Sequence, residues 1–200
     1  MDDIVKQSIA KWPDVPACHG WLALDARGHW RMRDERTQLL NLAGDKIAHV
    51  ALMGFIARNY DHDDDGCWFF QNGPQRVYVN LEATPYICRS DAQQGFVLHT
   101  GLPMPHIDGA FLSDAGALIL HAGEIVAQLD DRDVTFVLGQ IERAGQSVDD
   151  DALLAWLDDG VDADTGTLSL RVDGRLVALQ ALKSADVERH FGFVRQPTPH

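Results

Sequence analysis

The chain has 200 residues, of which 46% are hydrophobic and 24% charged, and this length suffices for one large domain or two small ones. Its formal net charge of −13 repels phosphate backbones and anionic lipid, so we expect neither nucleic acid nor a membrane as partner. No apolar run is long enough to cross a bilayer. The acidic start "MDDIVKQSIAK" does not resemble a signal peptide, and three scattered cysteines form no disulfide framework, so we expect a cytoplasmic protein.

The first half of the chain predicts helices alternating with hairpins. Apolar spacing predicts a helix at 2–11 and a longer one at 45–60 that begins at the N-cap Asp45. Alternating apolar residues predict hairpins at 19–33 and 67–82, the second turning at Asn72-Gly73. The segments "TPYICRS" and "GFVLHTG" predict further extended structure.

The second half repeats this order after a linker rich in proline at 102–108. We expect the following elements in chain order: a strand–turn–strand at 109–123, a helix at 131–145 that Gly145 ends, a helical insertion at 149–160, a hairpin that turns at Asp173-Gly174, a short helix capped by Ser184, and a loose tail at 196–200.

Together these elements predict an α+β fold of antiparallel hairpins packed on a few helices. We expect two similar hairpin–helix–hairpin units at 1–101, with its core at 19–90, and at 109–195. Asp173-Gly174 follows Asn72-Gly73 by 101 residues, and Gly166 follows Gly66 by 100. An internal repeat would explain these spacings. The alternative is that α+β proteins place hairpins and helices in similar order by chance.

The stretch "DHDDDGCW" concentrates carboxylates just before a predicted strand. Asp61, Asp63, Asp65 and Gly66 match the first half of an EF-hand calcium loop, but the twelfth position is Asn72, which offers no bidentate carboxylate. Aspartates also cap such turns without an ion. The capped turn is the preferred interpretation, and a metal site at these three aspartates is the alternative.

Other chemistry gives no recognisable catalytic or zinc pattern. The histidines and cysteines lack CxxC, HxxxH and HExxH spacing, and there is no P-loop, GxGxxG or nucleophile elbow. We expect no cofactor. Cys18, in a polar segment, is the cysteine whose reactivity we would test.

The hairpin "WFFQNGPQRVYVNLE" carries the densest candidate binding chemistry. Period-two alternation places one set of side chains on a single strand face around the Asn-Gly-Pro turn, and tyrosine and arginine often anchor binding surfaces. The candidate ligand-binding residues are Trp68, Arg76, Tyr78, Asn80 and Glu82. The alternative is a half-solvated sheet face with ordinary cross-strand pairs.

The segments "GWLALDARGHWRM", "HVALMGFIARNY" and "DDDGCWFFQNGPQRVYVNLEATPYI" resemble a family of uncharacterised proteobacterial proteins, classed as a domain of unknown function. The order also resembles, more distantly, a second such family with the pattern "V-x-x-AP-(F/Y)", here represented by residues 82–86. The resemblance implies a mixed α/β fold of two related units and a regulatory or signalling role. It implies no catalytic residues.

The sequence therefore favours a non-catalytic regulatory or signalling module that binds a small ligand or a protein. One alternative is a metal-dependent, hydrolase-like enzyme using the acidic turn at 61–65. Another is a structural or assembly subunit. The oligomeric state is left open.

Overall fold

The computed structural model describes residues 1–159 and 167–199, and Gly166 of the predicted repeat lies outside them. The fold is α+β, as the sequence predicts. The helices, in chain order, are α1 Asp3–Lys11, α2 Glu35–Leu39, α3 Val50–Arg58, α4 Val134–Leu138, α5 Asp150–Asp159 and, after a 3-10 turn at Ser184–Asp186, α6 Val187–Phe191.

The strands of the first half are β1 Cys18–Leu24, β2 Trp30–Met32, β3 Asp45–Lys46, β4 Tyr60–His62, β5 Trp68–Asn72 and β6 Gln75–Leu81. The remaining strands are β7 Tyr86–Asp91, β8 Gly95–Leu98, β9 Gly109–Ser113, β10 Leu118–Ala122, β11 Ile125–Leu129, β12 Ile141–Arg143, β13 Gln146–Ser147, β14 Leu168–Val172 and β15 Arg175–Leu182.

Backbone contacts divide the chain into two compact units. The first comprises Met1–Pro85 with Phe191–His200, and the second comprises Tyr86–His190. The predicted linker 102–108 lies inside the second unit. It is held there because Leu98 N–H bonds to Leu102 O at 2.9 Å and Met104 N–H bonds to Phe96 O at 2.8 Å.

The described strands of the first unit form one mixed sheet in the order β3-β2-β1-β6-β5-β4. Neighbouring strands are antiparallel except β1 and β6, which are parallel. One face carries the core, where Leu24, Val79 and Leu81 are buried. Helix α3 packs on this face through Phe55, whose ring lies edge-on to Phe70 at 5.4 Å.

The second unit has a sheet in the order β13-β12-β14-β15-β9-β10-β11-β7-β8 among its described strands. Six of these strands, β11-β10-β9-β15-β14-β12, follow the same connectivity as β3-β2-β1-β6-β5-β4. The central pair, β9 with β15, is again parallel, and the flanking pairs are antiparallel. The core of this unit is apolar and includes Trp156 from α5 and Val137 from α4.

Three predicted helix details are wrong. Helix α3 begins at the N-cap His49, whose Nδ1 accepts from Leu52 N–H, because Asp45 pairs with Met32 in the sheet. The helix predicted at 131–145 ends at Leu138, because Ile141–Arg143 pairs with β14. Gly145 does not end the helix but lies in a turn with φ +83°. Ser184 is not the N-cap of the 3-10 turn, a position that Lys183 occupies, and the Ser184 hydroxyl donates to Asp114.

The predicted tail at 196–200 is held at its start. Arg195 O accepts from Leu81 N–H at 2.8 Å, and Arg195 Nε donates to Ala83 O at 3.0 Å. Gln196 bonds to Asn80, and Pro197 is buried. The end of the chain therefore completes the first unit beside β6.

Candidate functional site

Strand β6 presents a polar row on the sheet face opposite the core. The row consists of four of the five predicted site residues: Arg76, Tyr78, Asn80 and Glu82. Trp68 lies on the other face, because its neighbour Phe69 is the residue that pairs with Tyr78. The Trp68 ring is buried, and its centroid lies 4.8 Å from the ring centroid of Tyr60 and 4.9 Å from that of His62. Trp68 is thus brought into the core and not into the polar row.

Tyr78 is hydrogen-bonded to the acidic turn at 61–65. Its hydroxyl donates to Asp63 Oδ2 at 2.9 Å, and its ring stacks on His19 at 4.5 Å with an interplanar angle of 16°. Arg76 beside it lies over the Phe69 ring at 4.5 Å. Partial burial, followed by the hydrogen bond to the Asp63 carboxylate, raises the pKa of Tyr78. Both side chains therefore have contacts within the protein.

Replacing Tyr78 by phenylalanine should lower the free energy of unfolding by about 1–2 kcal/mol at neutral pH, because the bond to a charged acceptor is lost. The raised pKa of Tyr78 means that the folded state holds this proton more tightly than the unfolded chain. Its contribution is therefore complete below about pH 10 and falls as pH rises through the folded pKa. Urea denaturation from pH 7 to 11 should show the two proteins converging at high pH. A difference that stays constant would contradict the role given to the Tyr78–Asp63 bond.

The acidic turn is organised by hydrogen bonds to its own backbone. Asp63 Oδ1 accepts from the N–H groups of Asp65 at 3.1 Å and Cys67 at 2.9 Å, and Asp63 O accepts from Gly66 N–H at 3.1 Å. The Asp61 carboxylate accepts from the adjacent N–H of His62. Within 1–159 and 167–199, no three His, Cys, Asp or Glu side chains gather in a way that could hold a metal ion. The geometry is that of a capped turn.

A pocket of about 390 Å³ lies where Asn80 and Glu82 end the polar row. We call it the β1–β6 pocket. It is bordered by the end of β1, the loop at 41–43 and the C-terminal segment. Its polar lining residues are Asp25, Arg31, Arg33, Asn41, Asn80, Glu82 and Gln196. Ala23 pairs with Asn80 of β6 in parallel and with Arg31 of β2 in antiparallel register. The side chains of Arg31 and Asn80 therefore lie on the same face of the sheet as Ala23.

Asp25 fixes one wall of the β1–β6 pocket. Its carboxylate accepts from the backbone N–H of His29 at 2.8 Å and of Arg27 at 3.0 Å, and from Arg31 Nε at 2.8 Å. Burial opposes ionisation of this group, but the His29 backbone and Arg31 bonds outweigh it and hold the pKa of Asp25 below its ordinary value. The Asp25–Arg31 pair is therefore ionised and fixed in position at neutral pH.

Arg33 fixes the opposite wall. Its side chain is buried, with Nε donating to Leu42 O at 3.1 Å and Nη2 donating to Asn41 Oδ1 at 3.2 Å. Gly44 allows this loop to close, because its φ is +87° and a Cβ there would lie 2.4 Å from Met32 O. Nη1 of Arg33 makes no hydrogen bond to any described residue and remains available to a ligand.

Glu82 and Gln196 also keep free polar atoms. Glu82 Oε2 accepts from Ala26 N–H at 3.0 Å, and Gln196 Oε1 accepts from Asn80 Nδ2 at 2.7 Å. Glu82 Oε1 and Gln196 Nε2 make no bond to residues that the structure describes. The pocket thus offers two guanidinium groups held in position, one open carboxylate oxygen of Glu82 and the open amide nitrogen of Gln196.

Sequence reasoning missed Asp25, Arg31, Arg33 and Gln196 as site residues. A signal for the arginines exists in "WRMR", where period two in a predicted strand puts Arg31 and Arg33 on one face. Gln196 carried no such signal, because its contact with Asn80 joins residues 116 positions apart.

The chain matches the family DUF2944, described as "Protein of unknown function (DUF2946)", over residues 1–198. The chain belongs to this family. The expected membership of an uncharacterised family is confirmed, and no activity comes with it. None of the curated proteins matches the chain.

Two solved structures are similar. One is a DUF1285 family protein from Silicibacter pomeroyi DSS-3, with 13% identity and a TM-score of 0.48, covering 94% of this chain and 100% of its own. The other is a DUF1285 family protein from Shewanella baltica OS155, with 17% identity and a TM-score of 0.41, covering 58% of this chain and 90% of its own.

Two further observations concern the reactivity of Cys18 and the character of the helices. Burial raises the pKa of the Cys18 thiol, which lowers its thiolate fraction at neutral pH and makes a reactive cysteine there less favourable. In the part of the chain that the structure describes, no helix combines the length and the apolar character needed to cross a bilayer.

Proposed function

We propose that this protein is a non-catalytic, ligand-binding regulatory module whose β1–β6 pocket takes a small zwitterionic molecule of the size of a free amino acid. The observation that carries the proposal is the balanced charge of the pocket. Arg31 and Arg33 supply two positive charges, and Asp25 and Glu82 supply two negative charges, so the lining sums to 2 − 2 = 0.

This arrangement favours a ligand that itself carries both charges. A guanidinium donates to carboxylate oxygens in a fixed fork, and Arg33 has Nη1 free for such a bond. Glu82 Oε1 is free to accept from an ammonium group. A ligand with only one kind of charge would leave the opposite wall without compensation.

Size and lining support binding and not covalent chemistry. A volume of about 390 Å³ holds on the order of a dozen water-sized groups at ~30 Å³ each, which suits an amino acid. The described residues that line the pocket include none of Ser, Thr, Cys, Lys or His, and its two carboxylates, Asp25 and Glu82, accept hydrogen bonds from the protein itself.

Calorimetric titration with each of the twenty free amino acids, and with glucose and glycerol as neutral probes, tests the proposal. At least one amino acid should bind saturably. Glu82→Gln should weaken that binding about tenfold, because a charge-assisted bond becomes a neutral one. The substituted side chain keeps an oxygen for Ala26 N–H, so the fold should be retained.

Glu124→Gln is the matched control, since Glu124 is exposed in a turn of the second unit and does not border the β1–β6 pocket. It should bind like the unmodified protein. Saturable binding of glucose alone, or amino-acid binding that is indifferent to Glu82→Gln, would contradict the zwitterion assignment.

We further propose that the protein acts in the cytoplasm of a bacterium, in a signalling role, and that its two units derive from duplication of one six-stranded unit. The free state of the three cysteines supports a cytoplasmic site, and the shared strand connectivity supports duplication. Fractionation that recovers the protein with membranes would contradict the first. Superposition of the units that fails to align the β1–β6 pair with the β9–β15 pair would contradict the second.

A further inference from the structure

A second cavity, of about 310 Å³, lies within the second unit and is unrelated to the β1–β6 pocket. It is bordered by β8, by the segment 104–107 and by the β14–β15 hairpin. Half of its ten lining residues are apolar and buried in the protein: Phe96, Met104, Ile107, Val172 and Val177. This apolar half favours hydrocarbon over water.

Arg175 lies in the wall of this cavity with its guanidinium uncommitted to any acid. Its side chain is exposed, and its one hydrogen bond to a described residue is to His106 Nδ1 at 3.3 Å. A guanidinium can only donate, so His106 Nδ1 accepts and is unprotonated in this arrangement. Because Arg175 donates to an imidazole lone pair and not to a carboxylate, its positive charge is not neutralised there and can pair with an anion.

The other charged group at the cavity is Asp173, which lies two residues before Arg175 in the turn of the β14–β15 hairpin. Its carboxylate lies against the turn of the β7–β8 hairpin, with Oδ2 3.1 Å from the position that a Cβ on Gly95 would take. Asp173 would repel an anion placed near Gly95. A ligand carboxylate is therefore expected at Arg175 and His106.

We infer that this cavity binds a small amphipathic monocarboxylate, with its carboxylate on Arg175 and its hydrocarbon chain on the apolar lining. The volume corresponds to about ten water-sized groups at ~30 Å³ each, which matches a medium-chain carboxylate such as octanoate. The inference does not depend on the proposed function, because it concerns different residues in a different unit.

Titration of the full chain with octanoate, octan-1-ol and octylamine tests the inference. Octanoate should bind saturably, and the alcohol and the amine should bind at least tenfold more weakly, because neither places an anion on Arg175. Arg175→Gln should weaken octanoate binding by at least tenfold and leave alcohol binding unchanged. The exposure of Arg175 makes retention of the fold the expected result, which the thermal midpoint checks.

Arg189→Gln is the matched control, since Arg189 is an exposed arginine of the second unit that does not border this cavity. It should bind octanoate as the unmodified protein does. Octan-1-ol binding as tight as octanoate binding, octanoate affinity unaffected by Arg175→Gln, or absence of saturable octanoate binding would each overturn the inference.

Discussion

Replacing Gly66 by alanine should destabilise the protein by about 2–5 kcal/mol. Gly66 has φ +77°, a conformation that costs an L-residue about 1–2 kcal/mol. A Cβ there would also lie 2.2 Å from Gly192 O and 3.1 Å from Phe193 Cα, so one backbone must move. Overpacking of this kind adds about 1–3 kcal/mol. The substitution would therefore push the C-terminal segment away from the acidic turn.

Urea denaturation measures this effect, and Gly73→Ala is its control. Gly73 also has positive φ, +57°, but a Cβ there meets no atom within 4 Å. Gly73→Ala should therefore lose only the conformational part, about 1–2 kcal/mol. Equal losses at the two glycines would show that residues 192–193 do not pack on the acidic turn as the structure has them.

Trp156→Ala should destabilise the second unit by about 3–5 kcal/mol, the range for removal of a large core aromatic. The Trp156 side chain is 1% exposed within the apolar core of this unit, which also contains Leu153 from the same helix. Its Nε1–H has no acceptor among the described residues. Trp156→Phe, which keeps most of the ring and removes that donor, should cost markedly less.

Leu154→Ala is the control on the same helix, because Leu154 is 60% exposed and its truncation should change stability by about 0.5 kcal/mol or less. Chemical denaturation followed by circular dichroism reports all three variants. A loss for Trp156→Ala no larger than that for Leu154→Ala would contradict the placement of α5 in the core.

The hairpins could be predicted because their determinants are local. Asn72-Gly73 and Asp173-Gly174 both allow positive φ, and the structure has φ of +57° at Gly73 and +47° at Asp173. Alternation on β6 also assigned faces correctly, since Val79 and Leu81 are buried and Glu82 is exposed. These features need no information from distant parts of the chain.

Two of the three wrong helix predictions involve partners far along the chain, Leu170 for Ile141 and Asp114 for Ser184. The helix predicted at 131–145 stopped early because Ile141 pairs with Leu170, and that pairing outweighs local helical periodicity. The β1–β6 pocket could not be predicted from the sequence for the same reason. Its walls depend on parallel pairing of β1 with β6 and on the contact of Gln196 with Asn80, neither of which has a local sequence signature.

The central claim is that the β1–β6 pocket binds a zwitterionic small molecule. Two-dimensional amide NMR of the ¹⁵N-labelled protein, titrated with a mixture of the twenty free amino acids, tests it most directly. The account predicts saturable shifts confined to residues 23–25, 31–33, 41–43, 80–82 and 196, which Glu82→Gln reduces and Glu124→Gln does not. A spectrum without saturable shifts, or shifts centred on the acidic turn at 61–67, would contradict it.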